Sequence, residues 1–117
     1  MNKRKIGNQG EQLAQNHLIA NGFVIETQNH YTPYGEIDLI GSKDGTLYFI
    51  EVKFRRTATF GTAREAVTHK KKQSMKASAA HYLKTMTKRY VPFKISYLGV
   101  TATESHIEFD FIENIFE

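Results

Sequence analysis

The chain has 117 residues, enough for one domain with its own core and too few for a second. It carries no cysteine, which excludes disulfides and thiolate zinc sites, and no apolar run approaches the ~20 residues of a membrane span. A net charge of +4 and a pI near 9.3, with basic residues bunched at 3–5, 53–56, 70–76 and 84–89, favour a polyanionic partner.

The opening MNKRKIGNQGEQ is basic but lacks the apolar core of a signal peptide, so a cytoplasmic protein is expected. Ile6, Gly10, Leu13, Ala14, His17, Leu18 and Asn21 recur at three- and four-residue steps, predicting an amphipathic helix over about 5–21 that Gly22 stops. Glu11 lies beside that stripe. It is either an exposed helix-initiating acid or the edge of a site where the helix meets a sheet. Gly22-Phe23-Val24-Ile25 opens a short predicted strand, and 28–35, with Asn29, Pro33 and Gly35, reads as a loop. Its Tyr31 and Tyr34 either stack on bases or cover the core.

Residues 35–56, GEIDLIGSKDGTLYFIEVKFRR, organise the rest. Two apolar runs flank Asp44-Gly45, the sequence signal of a two-residue type I′ hairpin. Counting back from that turn, Lys43 faces Thr46, Asp38 lies opposite Glu51, and Glu36 opposite Lys53. Side chains alternate along a strand, so these four charged groups share one face, with opposed Cβ atoms roughly 5 Å apart. Opposed carboxylates in a half-buried strand are destabilising unless compensated, and a divalent cation compensates them. Magnesium takes one or two carboxylates plus waters and substrate phosphate, while a neighbouring lysine can orient or help deprotonate an attacking water. The plain alternative is a same-face Glu51–Lys53 ion pair on an exposed strand, with Asp38 a solvated neighbour.

After the hairpin, Arg55, Arg56 and residues 57–62 form a predicted loop with Phe60-Gly61 at its tip. A second helix is predicted over about 63–87, its stripe holding Val67, Met75, Ala79, Tyr82, Leu83 and Met86, and also Lys71. Lys71 either snorkels to solvent or points into a polar pocket at the sheet. Arg55, Arg56, Lys70, Lys71 and Lys72 are the candidate phosphate contacts. His69 and His81 read as polar-face residues. Pro92 breaks the chain, and 93–100 and 106–112 alternate as two further strands, with Glu108 and Asp110 facing solvent. The tail IENIFE is expected to pack its aromatic end on the domain.

The order helix, strand, hairpin, helix, strand, strand, with an acid on one hairpin strand and Glu-x-Lys on the next, resembles the PD-(D/E)xK nuclease superfamily. Within it, GEQLAQNHLIANGF, GEIDLI, FIEVKFRR, FGTAREAVTHKKK and AAHYL resemble the small bacterial YraN family, itself similar to archaeal Holliday junction resolvases. The resemblance covers essentially the whole chain. It implies an α/β restriction-endonuclease-like core: one domain over 1–117, a mixed central sheet of about five strands with the hairpin carrying the site, and two main flanking helices.

It further implies that Asp38 and Glu51 are metal-binding acids, Lys53 the catalytic lysine and Glu11 an acid completing the site. Glu36 matches a metal or water contact and Lys71 a phosphate contact. Mg²⁺ or Mn²⁺ is the implied cofactor. DNA is the implied substrate, branched or junction DNA in recombination or repair being its natural form, with a homodimer and a recombination or repair protein as further partners and no membrane. In one departure, the chain carries Pro92-Phe93-Lys94 where relatives usually have an Arg-Phe-Asp run. The reading from another class is a non-catalytic nucleic-acid-binding accessory module that works through a partner protein.

Overall fold

The computed structural model describes residues 3–56 and 67–116, with side chains from Gln9 to Phe116. In chain order they form α1 (Lys3–Ala20), β1 (Val24–Thr32), β2 (Gly35–Lys43), β3 (Thr46–Arg55), α2 (His69–Met86), β4 (Phe93–Ala102) and β5 (Ile107–Ile112). The strands make one mixed sheet in the order β1-β2-β3-β4-β5. Only β3 and β4 run parallel, because α2 carries the chain back across the sheet between them. This is the mixed α/β architecture expected from the sequence, and it is compatible with a restriction-endonuclease-like core.

Local chemistry fixes the main turns. Asp44 and Gly45 both adopt positive φ, 51° and 79°, as a type I′ turn demands, and the hairpin leaves them with Lys43 opposite Thr46. At the end of α1, Gly22 takes φ 93° while its N–H bonds Ile19 O and the Phe23 N–H bonds Leu18 O. That pair of bonds is a Schellman stop, and it turns Phe23 into the core. Thr68 caps α2 by accepting from the Lys71 N–H. The predicted start of that helix at 63, and the loop tip at Phe60-Gly61, fall outside the described residues.

Each face of the sheet buries its own apolar set. Ala14 and Leu18 of α1 pack on Leu39, Tyr48, Ile50, Leu98 and Val100. On the other face, Met75 and Ala79 of α2 pack on Ile40, Phe49, Ile95 and Tyr97. Among the described residues the helix stripes fall where their periodicity placed them, except that Asn21 after α1 and Met86 at the end of α2 are exposed.

Two expectations are corrected. Residues 28–32 are not loop but the second half of β1, paired to β2 through Thr32↔Gly35 and closed by a two-residue turn at Pro33-Tyr34. Little in VIETQNHYT marks it: β1 is an edge strand whose outward residues need not be apolar. In the tail it is Ile115 that is buried, its N–H bonded to Ile95 O, whereas Phe116 stays 46% exposed with the Lys76 ammonium over its ring. Glu108 and Asp110 face solvent as expected.

Candidate functional site

The hydrogen-bonded ladder between β2 and β3 runs from the turn to Leu39↔Ile50 and stops there. One step further on stand Asp38 and Glu51. Where the ladder ends, the Asp38 carboxylate takes over: its Oδ2 accepts the Val52 N–H at 2.8 Å. The strands part at the acids, and the predicted register holds only to the step before them.

Burial is the largest influence on Asp38 and pushes its pKa up to about 7; the Glu51 charge, and more weakly that of Glu36, adds to the rise. The Val52 N–H and the Lys71 ammonium oppose it. Burial likewise raises the pKa of Glu51, with Lys71 and then Lys53 offsetting part of the rise. A carboxyl held near neutrality beside a second buried carboxyl is an arrangement that burial alone disfavours.

Glu51 points toward α2, the side of its strand neighbour Phe49. There Lys71 Nζ lies 3.2 Å from Glu51 Oε2, the glutamate side chain being only 18% exposed. Of the two readings of Lys71, the polar pocket is the observed one. The Lys71 ammonium is the partner of this largely buried oxygen, and its charge offsets part of the rise that burial causes in Glu51.

Glu11 and Glu36 meet through a residue the sequence did not single out. Asn29, in β1 at the level of Asp38, has one end of its side-chain amide 3.1 Å from Glu11 Oε1 and 2.9 Å from Glu36 Oε1; two carboxylate acceptors assign that end as the nitrogen, so that Asn29 donates to both. It does so from a left-handed backbone, φ 53°, which a non-glycine residue adopts only when its surroundings require it. Glu11 reaches this point because Gly10 lets α1 settle on β3: a Cβ at Gly10 would sit 2.8–2.9 Å from the Phe54 side chain. The available signal was Asn29 itself, a residue that tolerates positive φ in an otherwise extended segment.

The other candidate residues divide. Lys53 is exposed, on the same side of β3 as Glu51, and acts on Glu51 through its charge. Arg55 is the last residue of β3, not part of a loop, and its Nη2 donates to the Tyr97 hydroxyl at 2.9 Å. Arg56 and Lys70 are exposed, while Lys72 lies half-buried beside Val67, Ile112 and Ile115. Among the described residues no three His, Cys, Asp or Glu side chains form a group able to hold a metal by themselves.

Lys94, the departure from the family pattern, opens β4 beside Tyr48 and pairs with Glu113 at 2.5 Å. Glu51 lies beside Tyr97, three residues further along and roughly 10 Å away. The Pro92-Phe93-Lys94 run therefore lies at the far end of the strand from Glu51. At that end, a cleft of about 410 Å³ lined by His17, Phe23, Lys43, Tyr48 and Glu113 contains none of the candidate residues.

Comparison with known sequences places this geometry among relatives. The pattern of the Uncharacterised protein family UPF0102 matches residues 10–113. A UPF0102 protein of Syntrophomonas wolfei is 34% identical over 113 residues, 97% of this chain and 98% of the relative. Another, from Carboxydothermus hydrogenoformans, is 31% identical over 117 residues, covering 100% and 99%. A third, from Vibrio parahaemolyticus, is 44% identical over 81 residues, 69% of this chain and 67% of the relative.

Proposed function

We propose that this chain, which belongs to the uncharacterised protein family UPF0102, is a divalent-metal-dependent endonuclease that hydrolyses phosphodiester bonds in DNA. The observation that carries the reading is the parting of the hairpin at Asp38 and Glu51. Two half-buried carboxyls act on one another there, one with its pKa raised to about 7 and the other balanced by the Lys71 ammonium.

The donor set fits a hard cation. Asp38 and Glu51 would hold Mg²⁺ or Mn²⁺, and with no third acid in a ready-made cage among the described residues, water and a substrate phosphate oxygen would supply the remaining oxygens. When bound, the ion supplies Lewis-acid polarisation of the phosphoryl group and a more acidic water. The chain's own residues do the rest. Lys53, two residues from Glu51 and exposed, orients the attacking water and stabilises charge growing on the phosphate. Lys71 balances Glu51 before substrate arrives and turns to a phosphate oxygen afterwards. Asn29 fixes Glu11 and Glu36 so that neither swings into the space between Asp38 and Glu51.

The second reading, a non-catalytic nucleic-acid-binding module, is favoured by one observation: Lys71 already supplies a positive charge to Glu51. A cleavage assay decides between them. Labelled single-stranded, duplex, flap and four-way-junction DNA, and an RNA control, are incubated with wild type, Glu51→Gln or Lys53→Ala, with Mg²⁺, Mn²⁺ or chelator. The nuclease reading expects metal-dependent cutting by wild type alone with binding kept in the variants; binding without cutting under every condition selects the accessory module.

A further inference from the structure

The β1–β2 turn carries two large aromatic residues that nothing in the described chain covers. Tyr31 is 74% exposed and Tyr34 57%. Of the two roles open to them, covering the core is excluded. Tyr31 is paired with Glu36 across the ladder, two residues along β2 from Asp38.

The tip is also rigid. The Thr32 hydroxyl donates to Gly35 O at 2.9 Å and accepts the Tyr34 N–H at 3.1 Å. It lies 2.9 Å from Ser78 Oγ on α2, and since its own proton is committed to Gly35 O, Ser78 is the donor. Ser74 Oγ, one turn earlier on the helix, donates to Tyr34 O at 2.7 Å. Gly35, at φ 142°, lies so close to the helix that a Cβ there would come within 2.7 Å of Ser74 Oγ. The Tyr34 ring meets His81 edge-on at 6.2 Å. Two exposed rings are therefore presented from a tip clamped to the same helix whose first turn carries Lys70, Lys71 and Lys72.

We propose that the Tyr31–Tyr34 tip is a base-stacking platform that selects DNA carrying unpaired nucleotides next to the bond to be cut. This rests on reading the neighbouring acids as a nuclease site, and it names the form of the substrate. A base in a duplex has both faces covered by its stacked neighbours, whereas an unpaired base offers a free face to an aromatic ring. Lys70, exposed one turn before Ser74, and Lys71, once released from Glu51, then meet the phosphates flanking the stacked base. A second copy of the chain adding a strand to the β1 edge is the competing occupant. That edge is poorly shaped for it, with a register shift between Ile25 and Thr27 and a left-handed residue at Asn29.

The test uses oligonucleotides containing 2-aminopurine, whose emission is quenched when it stacks, as a single strand, at a flap junction and in a full duplex. Titrations in Ca²⁺, which is expected not to support turnover, separate binding from cleavage. Wild type is expected to quench the probe in the single strand and at the flap. Tyr31→Leu and Tyr34→Leu, both at exposed positions, are expected to lose the quench and weaken single-strand binding roughly 5- to 100-fold, while duplex binding moves less than about 2-fold. Variants that bind every DNA as wild type does, with unchanged emission, overturn the platform and leave the nuclease reading standing. Variants that convert a dimer to a monomer in sedimentation without altering DNA binding overturn it in favour of a second copy. Wild type that binds no DNA overturns both readings together.

Discussion

Replacing Asp38 by asparagine makes the protein more stable at alkaline pH, and the gain follows from the ionisation of one buried carboxyl. The pKa of Asp38 rises from 3.8 to about 7 on folding, chiefly through burial and the neighbouring Glu51 charge. Every tenfold change in proton affinity corresponds to about 1.4 kcal/mol, so a rise of this size amounts to about 4 kcal/mol, less whatever the site recovers by admitting water. Because the folded value is the raised one, stability is lost as pH climbs. Below about pH 4 the group is protonated in both states and costs nothing. Between pH 4 and 7 the unfolded chain has released its proton and the folded one has not, so stability falls by about 1.4 kcal/mol for each step of one in pH. Above pH 7 the whole penalty is present. Asparagine does not titrate, and its Oδ1 still accepts the Val52 N–H. Urea unfolding followed by far-UV circular dichroism, with chelator, from pH 4 to 9, is expected to show Asp38→Asn and wild type converging toward pH 4 and the variant more stable by about 2–4 kcal/mol at pH 8. A stability difference that does not change with pH, or a variant less stable at pH 8, refutes the burial argument.

Asn29→Gly keeps the backbone permitted at φ 53° but removes the amide that joins Glu11 to Glu36. It is expected to unfold within about 1 kcal/mol of wild type yet change Mn²⁺ affinity, because Glu11 and Glu36 are then free to enter the space between Asp38 and Glu51; calorimetry and urea unfolding on one preparation check both, and an unchanged affinity contradicts the role given to Asn29. Gly10→Ala forces a methyl group against the Phe54 side chain and is expected to destabilise by about 1–3 kcal/mol while displacing Glu11. A loss of cleavage larger than the unfolded fraction explains is the mark of that displacement. Lys71→Met removes the ion pair to Glu51 and is expected to lower stability by about 1 kcal/mol at neutral pH, and by less in roughly 0.5 M salt. No salt dependence of that difference contradicts the pairing.

Much of the frame was legible because turn chemistry is local. Asp44-Gly45 set the hairpin register up to Leu39, Gly22 stopped α1, and 3.6-residue periodicity put Ala14 and Leu18 on the buried stripe of one helix and Met75 and Ala79 on that of the other, while their packing on opposite faces of the sheet is visible only in the structure. What was hidden depended on contacts between distant segments. β1 beyond Thr27 has no apolar alternation because an edge strand buries little, so residues 28–32 resembled a loop. The end of the ladder at Leu39↔Ile50 follows from the Asp38 carboxylate replacing a backbone partner, which no spacing rule encodes. Lys71 could be placed on the buried stripe of its helix, but only the packing of α2 on the sheet brings it to Glu51. Asn29 signalled only a residue that tolerates positive φ; its role depends on α1 and β2 meeting at one edge strand.

The most direct test of the metal site is a calorimetric titration of wild type, Asp38→Asn and Glu51→Gln with Mg²⁺ and Mn²⁺ at about pH 8, where Asp38 is ionised. One ion per chain bound by wild type, with affinity lost in both variants, is the predicted result. No binding by wild type, or binding that both variants retain, contradicts the claim that the two carboxylates at the parted hairpin are built to hold a cation.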